Sequence, residues 1–69
     1  DNVNDAAVEA AKVVAGIGEI RIIGEANAVS IFNAAGQAVA VNSKDAQFFV
    51  ASGVYVVVVD GKATKVLVK

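Results

Sequence analysis

Hydrophobic and polar residues alternate through most of the chain in short pieces, and turn-forming residues interrupt them every eight to twelve positions. That spacing predicts an all-β domain. Strands are expected at Ala11–Ala15, Glu19–Ile23, Ala28–Asn33, Gln37–Asn42, Gln47–Val50, Val54–Asp60 and Lys62–Val68. Seven short strands point to a β-sandwich.

The alternation is cleanest in Glu19-Ile20-Arg21-Ile22, which puts both isoleucines on one face and both charges on the other. Val29 and Ile31 share a face in the next strand, as do Val39 and Val41 in the one after, so these two strands are expected to offer a common core side. The connection Asn33-Ala34-Ala35-Gly36 fits a type I turn followed by a left-handed glycine, a hairpin with a bulge. Val54–Val59 differs, because both of its alternating sets are apolar. Such a strand wants burial on both faces or a central place in its sheet. Asp60-Gly61 is a strong signal for a two-residue turn with positive φ at both positions, so the last two strands should pair by local closure. The final strand sets Thr64, Val66 and Val68 against Lys65, Leu67 and Lys69, which marks its outer face with lysines.

Composition narrows the classes. A chain of 69 residues makes one domain, and a domain of that size buries only about 60% of the surface its unfolded chain exposes. It has neither cysteine nor histidine, so neither a disulfide nor a zinc site can brace the fold. The hydrophobic content is 57%, but it comes in short runs broken by charges and glycines. A membrane-spanning helix needs about 20 consecutive apolar residues. The net charge of −1 offers no basic face for nucleic acid. The opening Asp1–Ala10 is polar and acidic, unlike a secretory signal, and is read as an exposed linker or lead-in before a domain covering 11–69. An exported protein of this kind is expected to be a fragment of a longer precursor.

Catalytic inventory is poor. The serines and the threonine lack a candidate base, and the carboxylates have plainer roles: Asp60 in a turn, Asp45 in a loop, Glu19 on a solvated face. Gly16-Ile17-Gly18 lacks the rest of a phosphate loop and is read as a bend. Tyr55 is expected to tie its hydroxyl to nearby backbone, as in the tyrosine corner of sandwich domains. No enzymatic activity, metal or cofactor is expected. The absence of proline removes a common guard on edge strands, which predicts self-association, including a homodimer through an edge.

Three segments in this order resemble a known family. They are VSIFNAAGQAV (Val29–Val39), SGVYVVVV (Ser52–Val59) and the ending DGKATKVLVK (Asp60–Lys69). Together they resemble the C-terminal sorting domain of type IX secretion cargo, the Por secretion tail of Bacteroidetes proteins such as gingipains, over about residues 19 to 69. The resemblance implies an immunoglobulin-like antiparallel β-sandwich of about seven short strands that directs an N-terminal cargo from the periplasm through the outer-membrane translocon to the cell surface. A sortase-like protease would then remove it as the cargo is attached, cutting in or just before Asp1–Ala10. Matched positions are Asn33, Gly36 and Gln37 in the hairpin, then Gly53, Tyr55, Gly61, Lys62, Lys65, Val66, Val68 and Lys69 as translocon-recognition residues. The aromatic-Pro-Asn-Pro start of many members is missing. The other reading is a retained immunoglobulin-like stalk or adhesion module of a larger surface protein.

Overall fold

The computed structural model describes residues 11–69, so the proposed lead-in at 1–10 lies outside the described residues. Seven strands follow in order: β1 (Lys12–Ala15), β2 (Glu19–Ile23), β3 (Val29–Asn33), β4 (Ala38–Ser43), β5 (Gln47–Phe49), β6 (Gly53–Val59) and β7 (Lys62–Val68). They form two antiparallel sheets, β1-β2-β5 and β4-β3-β6-β7. In immunoglobulin terms β1, β2 and β5 stand as A, B and E, while β3, β6 and β7 stand as C, F and G with β4 added beside C. The chain thus crosses between sheets from β2 to β3, from β4 to β5 and from β5 to β6, and the two layers meet over one core.

That core is small. Ile20 and Ile22 of β2 face Val29 and Ile31 of β3, Tyr55, Val57 and Val59 of β6, and Val68 of β7. Each comes from one parity of its strand, as the period of two requires. Their partners Glu19 and Arg21 sit on the wet side of β2, joined by an ion pair of 3.2 Å.

The expected turns form. Gly36 takes φ 87°, its N–H donates to the Asn33 carbonyl at 2.9 Å, and Asn33 N–H donates to the Gln37 carbonyl at 2.9 Å, closing a type I turn with a glycine bulge. Asp60 and Gly61 take φ 50° and 88°, and every residue of β7 from Lys62 to Val68 then pairs with β6 without a shift.

Two expectations on packing are corrected. Val39 and Val41 do not face the core; they are 46% and 60% exposed. The register between β3 and β4 shifts twice, so that Ile31 opposes Ala40 and Val29 opposes Ser43. A one-residue shift exchanges the faces of a strand, and Ala40 takes the inward place. Asn42, at φ 48°, donates its N–H to Ser30 Oγ at 3.0 Å near the second shift. The second correction concerns β6, which is central in its sheet but buried on one face only. Tyr55, Val57 and Val59 are inside, whereas Val54 is exposed and Val56 and Val58 are half-buried, because among the described residues no second layer covers the outer side.

The edges are also better guarded than the lack of proline implies. β4 carries the two register shifts, β5 has three residues and β7 carries lysines. At its far end β7 is tied across the sandwich, since Lys69 N–H donates to the Gly16 carbonyl at 3.2 Å and its carbonyl accepts from Gly18 N–H at 2.8 Å. The Gly16–Gly18 segment is therefore a bend that meets the last strand, not a phosphate loop.

Asp60 does more than turn the chain. Its carboxylate accepts from Asn27 N–H at 3.0 Å and Ala28 N–H at 2.9 Å, and its own N–H donates to the Ala28 carbonyl at 3.0 Å. These bonds fix the entry to β3 against the exit of β6. Replacing Asp60→Ala should lower stability by about 2 kcal/mol, combining lost charged hydrogen bonds with a left-handed backbone that alanine resists. Asp60→Asn, which keeps one acceptor and tolerates that backbone, should cost roughly half as much in urea unfolding at neutral pH.

Candidate functional site

The outer face of the four-stranded sheet is where surface chemistry concentrates. Phe32 of β3 stands opposite Val56 of β6, Val56 stands opposite Lys65 of β7, and Val54 stands opposite Leu67. Leu67 is 59% exposed. Below them the Asn33–Gly36 turn forms a wall, and the whole encloses an open groove of about 490 Å³ lined by Phe32, Asn33, Ala34, Gly36, Val54, Val56 and Lys65. The floor is apolar and the one charge is the Lys65 ammonium. Such a groove favours an apolar body carrying an acceptor or a carboxylate.

The wall is rigid for a local reason. Asn33 Oδ1 accepts from the N–H groups of Ala35 at 3.0 Å and Gln37 at 2.9 Å, and Asn33 Nδ2 donates to Gln37 Oε1 at 3.1 Å. Asparagine folds its side chain back on the following backbone in this way. Asn33, Gly36 and Gln37 thus build the turn, and Asn33 and Gly36 also line the groove.

The other matched residues separate into two kinds. Tyr55 and Val68 lie in the core, 7% and 1% exposed, and Val66 packs half-buried against it. Tyr55 donates its hydroxyl to the Ala51 carbonyl at 2.7 Å, the tyrosine corner expected from the sequence. Gly53, at φ 150°, precedes it, and a Cβ there would stand 3.9 Å from the Tyr55 ring. Gly61, Lys62, Lys65 and Lys69 are exposed. Only Lys65 of these joins the groove; Lys62 opens β7 and Lys69 follows its last residue. Phe32, Val54 and Val56 are absent from the sequence-based list of site residues. The signal for the two valines was the second apolar set of Val54–Val59, which the sequence explained by burial.

The hydroxyls of Ser30 and Ser43 accept backbone N–H groups from Asn42 and Asp45. Among the described residues no three potential metal ligands cluster, and no helix is long and apolar enough to cross a membrane.

One polar site lies on the other sheet. Glu19 Oε1 accepts from Gln47 Nε2 at 2.7 Å and from Arg21 Nε at 3.2 Å. The Gln47 hydrogen bond, then the Arg21 contact, hold its carboxyl below the ordinary glutamate range.

Comparison with known proteins returns no match, whether to a family model, a curated protein or a solved structure.

Two measurements check these local assignments. Tyr55→Phe should cost about 1 kcal/mol of stability with the fold unchanged, the worth of one hydrogen bond. Because the Glu19 carboxyl is depressed, its contribution is present above the pKa of the unfolded chain and is lost as pH falls through the folded value. In Gln47→Leu, the Glu19 side-chain carbon followed by NMR should titrate closer to an ordinary glutamate, and the stability-versus-pH curve should flatten in the acid range.

Proposed function

We propose that this chain is a non-catalytic sorting module, read by the type IX outer-membrane translocon and removed by a sortase-like protease once its cargo reaches the cell surface. The observation that supports the reading is the composition of the groove. Phe32, Asn33, Ala34 and Gly36 come from the first segment of the resemblance, Val54 and Val56 from the second, and Lys65 from the third. Segments that are separated in the chain meet on one exposed face, with no residue from elsewhere lining it. A reader that contacts this face would therefore sample all three at once.

The fold is equally suited to a spacer, because a sandwich does not specify function. A retained stalk has no use for an open apolar groove with a single cation. In the sorting reading the groove is a contact surface, while Tyr55 and Val68 support it from within.

The test is delivery of a neutral reporter fused ahead of residues 1–69 in a host with the type IX machinery. The intact domain should bring the reporter to the surface, and intact-mass analysis should show mature reporter without the domain. Val56→Lys together with Lys65→Glu should lower surface reporter at least about tenfold, the equivalent of ~1.4 kcal/mol of recognition. The same pair should leave the domain folded, since neither side chain belongs to the core. Undiminished delivery by the double variant, or a surface reporter that keeps the domain, would overturn the proposal.

A further inference from the structure

The outer side of β7 is a sheet edge with backbone groups to spare. β7 ends the four-stranded sheet, and among the described residues no strand pairs with its far side. It is also the longest unshifted edge: it matches β6 over seven residues, whereas β4 has two shifts, β1 four residues and β5 three.

The turn tells which backbone groups are free. In a two-residue hairpin the residues flanking the turn, here Val59 and Lys62, form a hydrogen-bonded pair, and bonded and non-bonded pairs then alternate. Lys62, Thr64, Val66 and Val68 therefore bond inward to β6. Ala63, Lys65 and Leu67 point their N–H and C=O groups away from it. Lys69 is next in that outward series, and it does bond outward, to Gly16 and Gly18. The edge is thus occupied at its end, where β1 also runs close beside β7, and among the described residues the outward groups of Ala63, Lys65 and Leu67 have no backbone partner.

Charge selects what can add there. β7 and Lys69 carry three lysines and no acid, with Lys65 and Lys69 on the outer face beside Leu67. On the inner face Thr64 is exposed and Val66 is half-buried, leaving apolar surface at the mouth between the sheets. A second copy pairing through this edge would set lysine rows side by side, which like charges oppose. We infer that the β7 edge binds an extended strand of alternating apolar and acidic residues, antiparallel to β7, with carboxylates outward near Lys65 and Lys69 and apolar side chains inward over Val66. Main-chain bonds supply affinity and the lysines supply selection. The inference rests on the reading of this domain as a recognition module, though not on which machinery reads it.

The test uses residues 1–69 and a capped peptide of alternating valine and glutamate, matched in length to β7, with a valine–lysine peptide of the same length as control. Titration followed by amide NMR should shift Ala63, Lys65 and Leu67, and the effect should weaken with added salt. Ala63→Pro removes an outward N–H without removing a bond to β6, and should lower affinity at least about tenfold. N-methylation at Leu67 in chemically synthesised chain makes the same removal should the proline variant fail to fold. Equal binding of the lysine peptide, no binding of the glutamate peptide, shifts centred on Ala38–Ser43, a self-dimer through β7, or unchanged affinity in a folded edge-blocked chain would each overturn the inference. The reporter experiment is independent of this one. Failed delivery with intact peptide binding removes the sorting role, and intact delivery without peptide binding removes the edge.

Discussion

β6 cannot choose its own face by hydrophobicity. Its inward set, Tyr55, Val57 and Val59, and its outward set, Val54, Val56 and Val58, are nearly equal in apolar character, so a one-residue slip would bury almost as much. What fixes the register is polar and sits at the two ends. At the start, the Tyr55 hydroxyl reaches the Ala51 carbonyl, which only the observed face allows. At the finish, the Asp60 carboxylate holds Asn27 and Ala28 N–H groups, and the Asp60-Gly61 turn sets β7 opposite. With eight buried core side chains among the described residues and no covalent brace, the domain depends on those ties.

The same degeneracy creates the site. An ordinary half-buried strand would present polar residues outward, as β2 does with Glu19 and Arg21. β6 presents valines instead, next to Phe32 and Leu67, and among the described residues its sheet has no layer outside it. Apolar surface that is not needed for folding is costly in solubility and is expected where a partner covers it. One face of the strand thus serves packing, and the proposed reading gives recognition to the other.

The sequence made the local features legible: the period of two in β2, the Asn33–Gly36 turn, the Asp60-Gly61 turn and the tyrosine corner all depend on residues within a few positions of each other. The misplaced features depend on pairs of strands. Val39 and Val41 alternate correctly in isolation, but the shifts against β3 hand the inward place to Ala40, and nothing within β4 alone announces them. Asp60 meets Asn27 across 33 positions, so its second role has no local trace. The groove is of the same kind, because Phe32, Val56 and Lys65 become neighbours only through registers on both sides of β6.

That division bears on what a family resemblance can mean for this chain. Tyr55 and Val68 are inside, Asn33, Gly36 and Gln37 bond one another in a turn, and Gly61 serves backbone geometry. Any sandwich that needs the same corner, turn and hairpin has physical reason to place those residue types there, whoever its partner. Lys62, Lys65 and Lys69 are different, since they are exposed and no fold bond among the described contacts uses their ammonium groups. Phe32, Val54, Val56 and Leu67 join them, as outward apolar residues that the core does not require. The part of the resemblance that speaks of function is thus carried by the outer face and the β7 edge. Agreement at the buried positions speaks of the fold alone.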